Sequence, residues 1–70
     1  MKRLHGDHDL GINEVHEGEW RTLATRAQHR DLTTGERARL EQLWAAMNVD
    51  QRWHYKASRR YCGIAEMLES

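Results

Sequence analysis

Four basic side chains, Arg52, Lys56, Arg59 and Arg60, recur at i, i+4, i+7 and i+8, the spacing that aligns residues on one face of a helix. Such a stripe neutralises phosphates or meets carboxylates, and both contacts weaken as salt rises. Tyr55 and His54 flank it. Tyr55 falls off the apolar side of the same stretch and is therefore expected at the surface. Trp53, Tyr55 and Tyr61 crowd in among these arginines, and Trp, Tyr and Arg dominate the binding energy of protein interfaces. Arg52, Tyr55, Lys56, Arg59 and Arg60 are thus the expected contact residues, for a protein partner or for nucleic acid. A helix-turn-helix would ask for a small residue in its first helix and usually glycine at the turn. Trp44 and Asn48 stand near those places, so that motif is not met.

Other constellations carry less. Cys62 and His54 lie eight residues apart, roughly 12 Å of rise on one helix, which is too far for a thiol–imidazole pair. Ser58 has no neighbouring acid–base set that would form a triad. No catalytic residue is expected, and no enzymatic activity. His5, Asp7, His8 and Asp9, with His16, are competent metal ligands, and the histidines are the weak candidates for a site. A polar arm accounts for them as well. His16-Glu17-Gly18-Glu19-Trp20 has tryptophan where a zinc protease motif needs its second histidine. No cofactor is expected.

Seventy residues allow one domain, and a single core of this size supplies about 3–5 kcal/mol unless something assists it. Cys62 is the only cysteine, so an internal disulfide is excluded. Eleven Lys and Arg balance eleven Asp and Glu, which argues against a general polyanion binder. The charge is nonetheless segregated. Five acids lie between Asp7 and Glu19 with no Lys or Arg, and four bases lie between Gln51 and Cys62 with no acid. These segments could pair within one chain or head to tail between copies, giving a homodimer. The bases could equally meet an acidic patch on another protein. No apolar run is long enough to span a bilayer, and Met1 to His8 lacks the apolar segment of a signal peptide. A cytoplasmic location is the expectation, with no membrane partner.

The elements that must position the stripe are helical. There is no proline. The best defined stretch is Leu32 to Met47. Thr33 and Glu36 form a capping box, and Leu40, Leu43, Trp44 and Met47 follow at i, i+3, i+4 and i+7, one apolar face. Asn48 suits the left-handed turn that ends many helices. The run Asp31 to Glu41 resembles the Leu-(Ser/Thr)-x-x-Glu-Arg-x-x-Leu-Glu segment of zinc-binding anti-sigma domains. There it precedes a cysteine pair, which Met47 and Asn48 replace, so no functional residue is implied here. An earlier helix begins near Asn13, with Trp20, Leu23, Ala24 and Ala27 inward. A last one, capped by Asp50, runs from Gln51 to Leu68 with Trp53, Ala57, Tyr61, Ile64, Ala65 and Leu68 inward, and Gly63 marks a bend or close contact.

The sequence therefore predicts an all-α domain over residues 12–70, a small three-helix bundle (an αα-hairpin plus one helix), behind an irregular arm over residues 1–11. Its expected function is protein–protein interaction, as a regulator, inhibitor or adaptor working through the basic and aromatic face of the last helix. Small phage or plasmid accessory proteins that inhibit a host or defence complex share this profile. The alternative is nucleic-acid binding through the same stripe.

Overall fold

The computed structural model describes residues 11–69. The expected arm lies outside them except for Gly11. The described chain is all-α, with four helices: α1 (Glu14–His29), α2 (Thr34–Ala46), α3 (Val49–Ala57) and α4 (Cys62–Glu69). Each of the first two starts as its sequence dictates. Asn13 caps α1 by accepting from the His16 amide at 2.9 Å. Glu14 and Glu17 sit in its first turn, Arg26 and His29 in its last, matching the helix dipole at both ends. Thr33 and Glu36 form the reciprocal capping box of α2, at 3.1 and 3.0 Å.

Helices α1 and α2 form an antiparallel hairpin. The direction is visible in two cross-links, Arg39 to Glu19 at 2.7 and 2.9 Å and Arg26 to Glu36 at 2.8 Å. Between them α1 buries Trp20, Leu23 and Ala24, and α2 buries Leu40, Leu43 and Trp44. Trp20 is fully enclosed at the centre. Its ring stacks on Trp44 at 5.4 Å and meets Tyr55 at 4.6 Å and Tyr61 at 5.6 Å between centroids. Its indole N–H has no acceptor among the described residues, a buried orphan donor of the kind that costs about 1–3 kcal/mol.

Two expectations about the third helix are corrected. Asn48 does not close α2 in a left-handed turn, and Asp50 is not the cap. Asn48 is extended (φ −82°, ψ 175°) and itself caps α3 in a second capping box, with Gln51. Nor does one helix run from Gln51 to Leu68, so the bundle has a fourth helix. The chain leaves helical geometry at Ser58 (φ −81°, ψ 127°), and the Ser58 carbonyl then accepts from Tyr61 and Cys62 at 3.2 and 2.8 Å to start α4.

The cause is angular. On a continuous helix Tyr55 would stand about 120° from Tyr61 and about 180° from Ile64, so no straight helix could bury all three against one core. Breaking at Ser58, a residue whose hydroxyl favours helix ends over interiors, lets Tyr55 and Tyr61 converge on Trp20. The two tyrosine rings then meet edge-on at 5.4 Å. The break falls five residues before the glycine at which the sequence suggested a bend.

Candidate interaction surface

Helix α3 buries a single side chain, and it is Tyr55, 2 % exposed. This overturns the expectation that Tyr55 is a surface contact residue. Its hydroxyl donates to Glu17 Oε1 at 2.8 Å and accepts from Arg21 Nη1 at 2.8 Å. Burial, then the hydrogen bond to Glu17, raises the Tyr55 phenol above its ordinary pKa, and the bond to Tyr55 raises Arg21. One of the five residues the sequence offered for binding is thus a structural strut between α1 and α3.

Gln51, one helical turn earlier, is the second strut. Its amide nitrogen donates to the Ile12 carbonyl at 2.8 Å and to Glu17 Oε2 at 3.0 Å. Its amide oxygen accepts from Ile12 N and Asn48 N, both at 3.1 Å. All four hydrogen-bonding positions of one side chain are thus used. Gly11 precedes this joint with φ +67°, and a Cβ there would run into Gln51 Oε1. The start of the described chain is therefore clamped to the start of α3.

With Tyr55 and Gln51 turned inward and Arg52 and Lys56 half-buried, the opposite side of α3 faces out. Trp53, expected in the core, is 65 % exposed, and Val49 is 73 % exposed. Ala57 is exposed too. These three stand at i, i+4 and i+8, so they form one ridge along the outer face of α3. His54, beside Trp53, is also exposed and packs edge-on against the Tyr55 ring at 5.1 Å.

The expected basic stripe is divided. Arg52 is half-buried on α3. Lys56 donates to Glu69 Oε1 at 3.2 Å, and the other carboxylate oxygen of Glu69 accepts from Trp44 Nε1 at 2.9 Å. The Trp44 bond first, and then Lys56, holds Glu69 below the usual carboxylate range. Arg59 and Arg60 lie exposed on the turn after α3. Their side chains make no ion pair among the described residues, although the Arg60 carbonyl accepts from Gln28 Nε2 at 2.7 Å.

Of the acids expected to pair with these bases, Glu17 and Glu19 have other partners, and Glu14 makes no ion pair among the described residues. Glu17 is held by Tyr55, Gln51 and Arg21. Glu19 is held by Arg39, whose hydrogen bond is the first cause of its lowered pKa. Asp7 and Asp9 lie outside the described residues, as do His5 and His8. Among the described residues no three His, Cys, Asp or Glu side chains gather as a metal site would require, and His16 stands on α1. The helix break also removes the spacing argument that separated His54 from Cys62. What the structure provides instead is a Cys62 thiol directed to the Arg59 carbonyl at 3.7 Å.

Trp53 is the functional candidate that sequence reasoning misassigned. Its signal was the Asn48–Gln51 pair: a capping box there starts the helix at Val49, and Val49, Trp53 and Ala57 then share a face that excludes Tyr55. No protein family, curated protein or solved structure compared with the chain matches it.

Proposed function

We propose that this protein is a small non-enzymatic interaction module, a regulator, inhibitor or adaptor, that docks on a protein partner through the outer face of α3. The observation that carries the reading is the exposure of Trp53, 65 %, in a chain whose other tryptophans, Trp20 and Trp44, are 0 % and 4 % exposed. A small domain leaves one of its three largest side chains outside at a cost in core volume. Burial in a partner recovers that area, about 25 cal/mol per Å², and tryptophan is enriched among interface hot spots. Val49 and Ala57 extend the apolar contact along the helix, and Arg52, Arg59 and Arg60 supply charge at its edge.

The test is affinity capture from nuclease-treated native lysate. Trp53→Ala should remove the captured protein while leaving helicity and melting temperature unchanged. Capture that survives this substitution counts against the reading.

Nucleic-acid binding is the second reading, supported by the unpaired side chains of Arg59 and Arg60 and by an indole on which a base could stack. It requires binding to single-stranded DNA at low salt that falls steeply as salt rises. Lack of binding at low salt removes it.

A further inference from the structure

We propose that the α3 ridge receives an acidic amphipathic helix of the partner, its apolar stripe crossing Val49, Trp53 and Ala57 and its carboxylates meeting Arg52, Arg59 and Arg60. This rests on the docking reading above and specifies the partner's chemistry.

Shape selects a helix. Residues at i, i+4 and i+8 form the ridge that the commonest class of helix pair seats into the corresponding groove of a second helix, crossing at about −50°. A partner strand would need an unpaired sheet edge to extend, and the described residues contain no strand. The ridge is convex, with an indole standing between a valine and an alanine, so it fills a groove rather than offering one. The surface between two side-chain rows of a helix is such a groove.

Charge selects an acidic one. From Val49 to Cys62 the sequence holds Arg52, Lys56, Arg59 and Arg60 against Asp50 alone. Lys56 pairs at 3.2 Å with Glu69, whose carboxylate also feels the charge of Arg52, while Arg59 and Arg60 make no ion pair among the described residues. Two of the α1 acids that might have covered the other three are committed elsewhere, Glu17 to Tyr55 and Gln51, and Glu19 to Arg39. The excess positive charge around Trp53, above all that of Arg59 and Arg60, is therefore only partly balanced among the described residues, and a carboxylate-bearing partner supplies the rest. Against nucleic acid, Val49 and Ala57 add aliphatic surface that a phosphate backbone does not use.

The experiment uses the full chain and the fluorescence of Trp53, since Trp20 and Trp44 are already buried. Three synthetic peptides serve as probes: an amphipathic helix with a leucine stripe and glutamate flanks, the same stripe with lysine flanks, and a glutamate-rich scramble without a stripe. Single-stranded DNA and vesicles containing phosphatidylserine complete the set. The expected result is a blue shift with the glutamate-flanked helix alone, absent in Trp53→Phe and weakened about tenfold or more in the double variant Arg59→Glu, Arg60→Glu.

Equal or stronger binding of the lysine-flanked peptide overturns the acidic assignment and leaves the docking face standing. So does the absence of any Trp53-dependent shift while Trp53→Ala still abolishes capture from lysate. A shift at lower concentration with DNA or vesicles overturns it in favour of that ligand. If neither peptides nor lysate capture depend on Trp53, the docking face itself is wrong.

Discussion

Two aromatic residues two positions apart on α3 have opposite fates, and their chemistry explains the choice. Tyr55 enters the core with its hydroxyl satisfied at both ends, by Glu17 and Arg21, so its burial leaves no polar atom unpaired. The core already holds one indole N–H without a partner among the described residues, that of Trp20, and a second indole buried beside it would need an acceptor of its own. The two positions should therefore respond in opposite ways to truncation. Trp53→Ala is expected to change stability by less than about 0.5 kcal/mol. Trp20→Ala is expected to cost about 3–5 kcal/mol, comparable to the whole stability of a domain this size, and so to leave the chain largely unfolded. Urea titration followed by circular dichroism measures both. A large loss in Trp53→Ala would mean that the indole supports the fold. Spacing alone could not make this assignment, because Trp53 and Tyr55 are each compatible with an inward face. What decided it was the hydrogen-bonding partner available on α1, a contact 38 residues distant in sequence.

At the scale of elements, the outer limits of the helices were more legible than the break inside the last one. Helix α2 ends at Ala46 and α4 at Glu69, each within a residue of the expected end, while the cap of α3 is Asn48 and not Asp50. Asn13 and Thr33 begin their helices as the sequence indicates, because caps act locally, through a side chain and an amide three residues on. The break at Ser58 was not legible, since it answers to the demand that Tyr55, Tyr61 and Ile64 reach one core. The same locality makes the starts testable by pH. Glu36 is held to about 2 by the Thr33 amide first and then by Arg30 and Arg26. A carboxylate with a depressed folded pKa stabilises the fold above its unfolded value, and the contribution disappears as pH falls through the folded one. The melting temperature of the wild type should therefore exceed that of Glu36→Gln at neutral pH, and the gap should close as pH falls from about 4.5 toward 2. A gap independent of pH would show that the capping box does not depend on charge. The joint at the start of α3 gives a second test. Gly11→Ala places a methyl against Gln51 Oε1 in left-handed backbone, which costs about 1 kcal/mol or more. Amide exchange at Ile12, whose N–H donates to Gln51, should accelerate with it; unchanged protection there would mean the clamp tolerates displacement.

In the whole molecule, the last helix links stability to the charge of the proposed docking face. Glu69 is the point of contact: one oxygen takes the Trp44 indole N–H and the other takes Lys56. Helix α4 is thereby fastened to α2 and α3 together, and one of the four bases around the ridge is neutralised. Replacing Glu69 with glutamine keeps an acceptor of similar reach for Trp44 but removes the carboxylate that faces Lys56. The side chains of Lys56 and Glu69 are 37 % and 40 % exposed, so losing the pair alone should lower stability little. Lys56 then adds its positive charge to those of Arg52, Arg59 and Arg60. Glu69→Gln is accordingly expected to bind the glutamate-flanked helix more tightly than the wild type, with a steeper salt dependence, while its melting temperature falls by a few degrees at most. Glu69→Ala provides the contrast, because it also deprives the Trp44 indole of its acceptor and should melt lower than Glu69→Gln. Binding measured over a salt series on all three proteins separates the effects. If Glu69→Gln binds no better than the wild type at low salt, Lys56 does not belong to the working face, and the positive field around Trp53 comes from the three arginines alone.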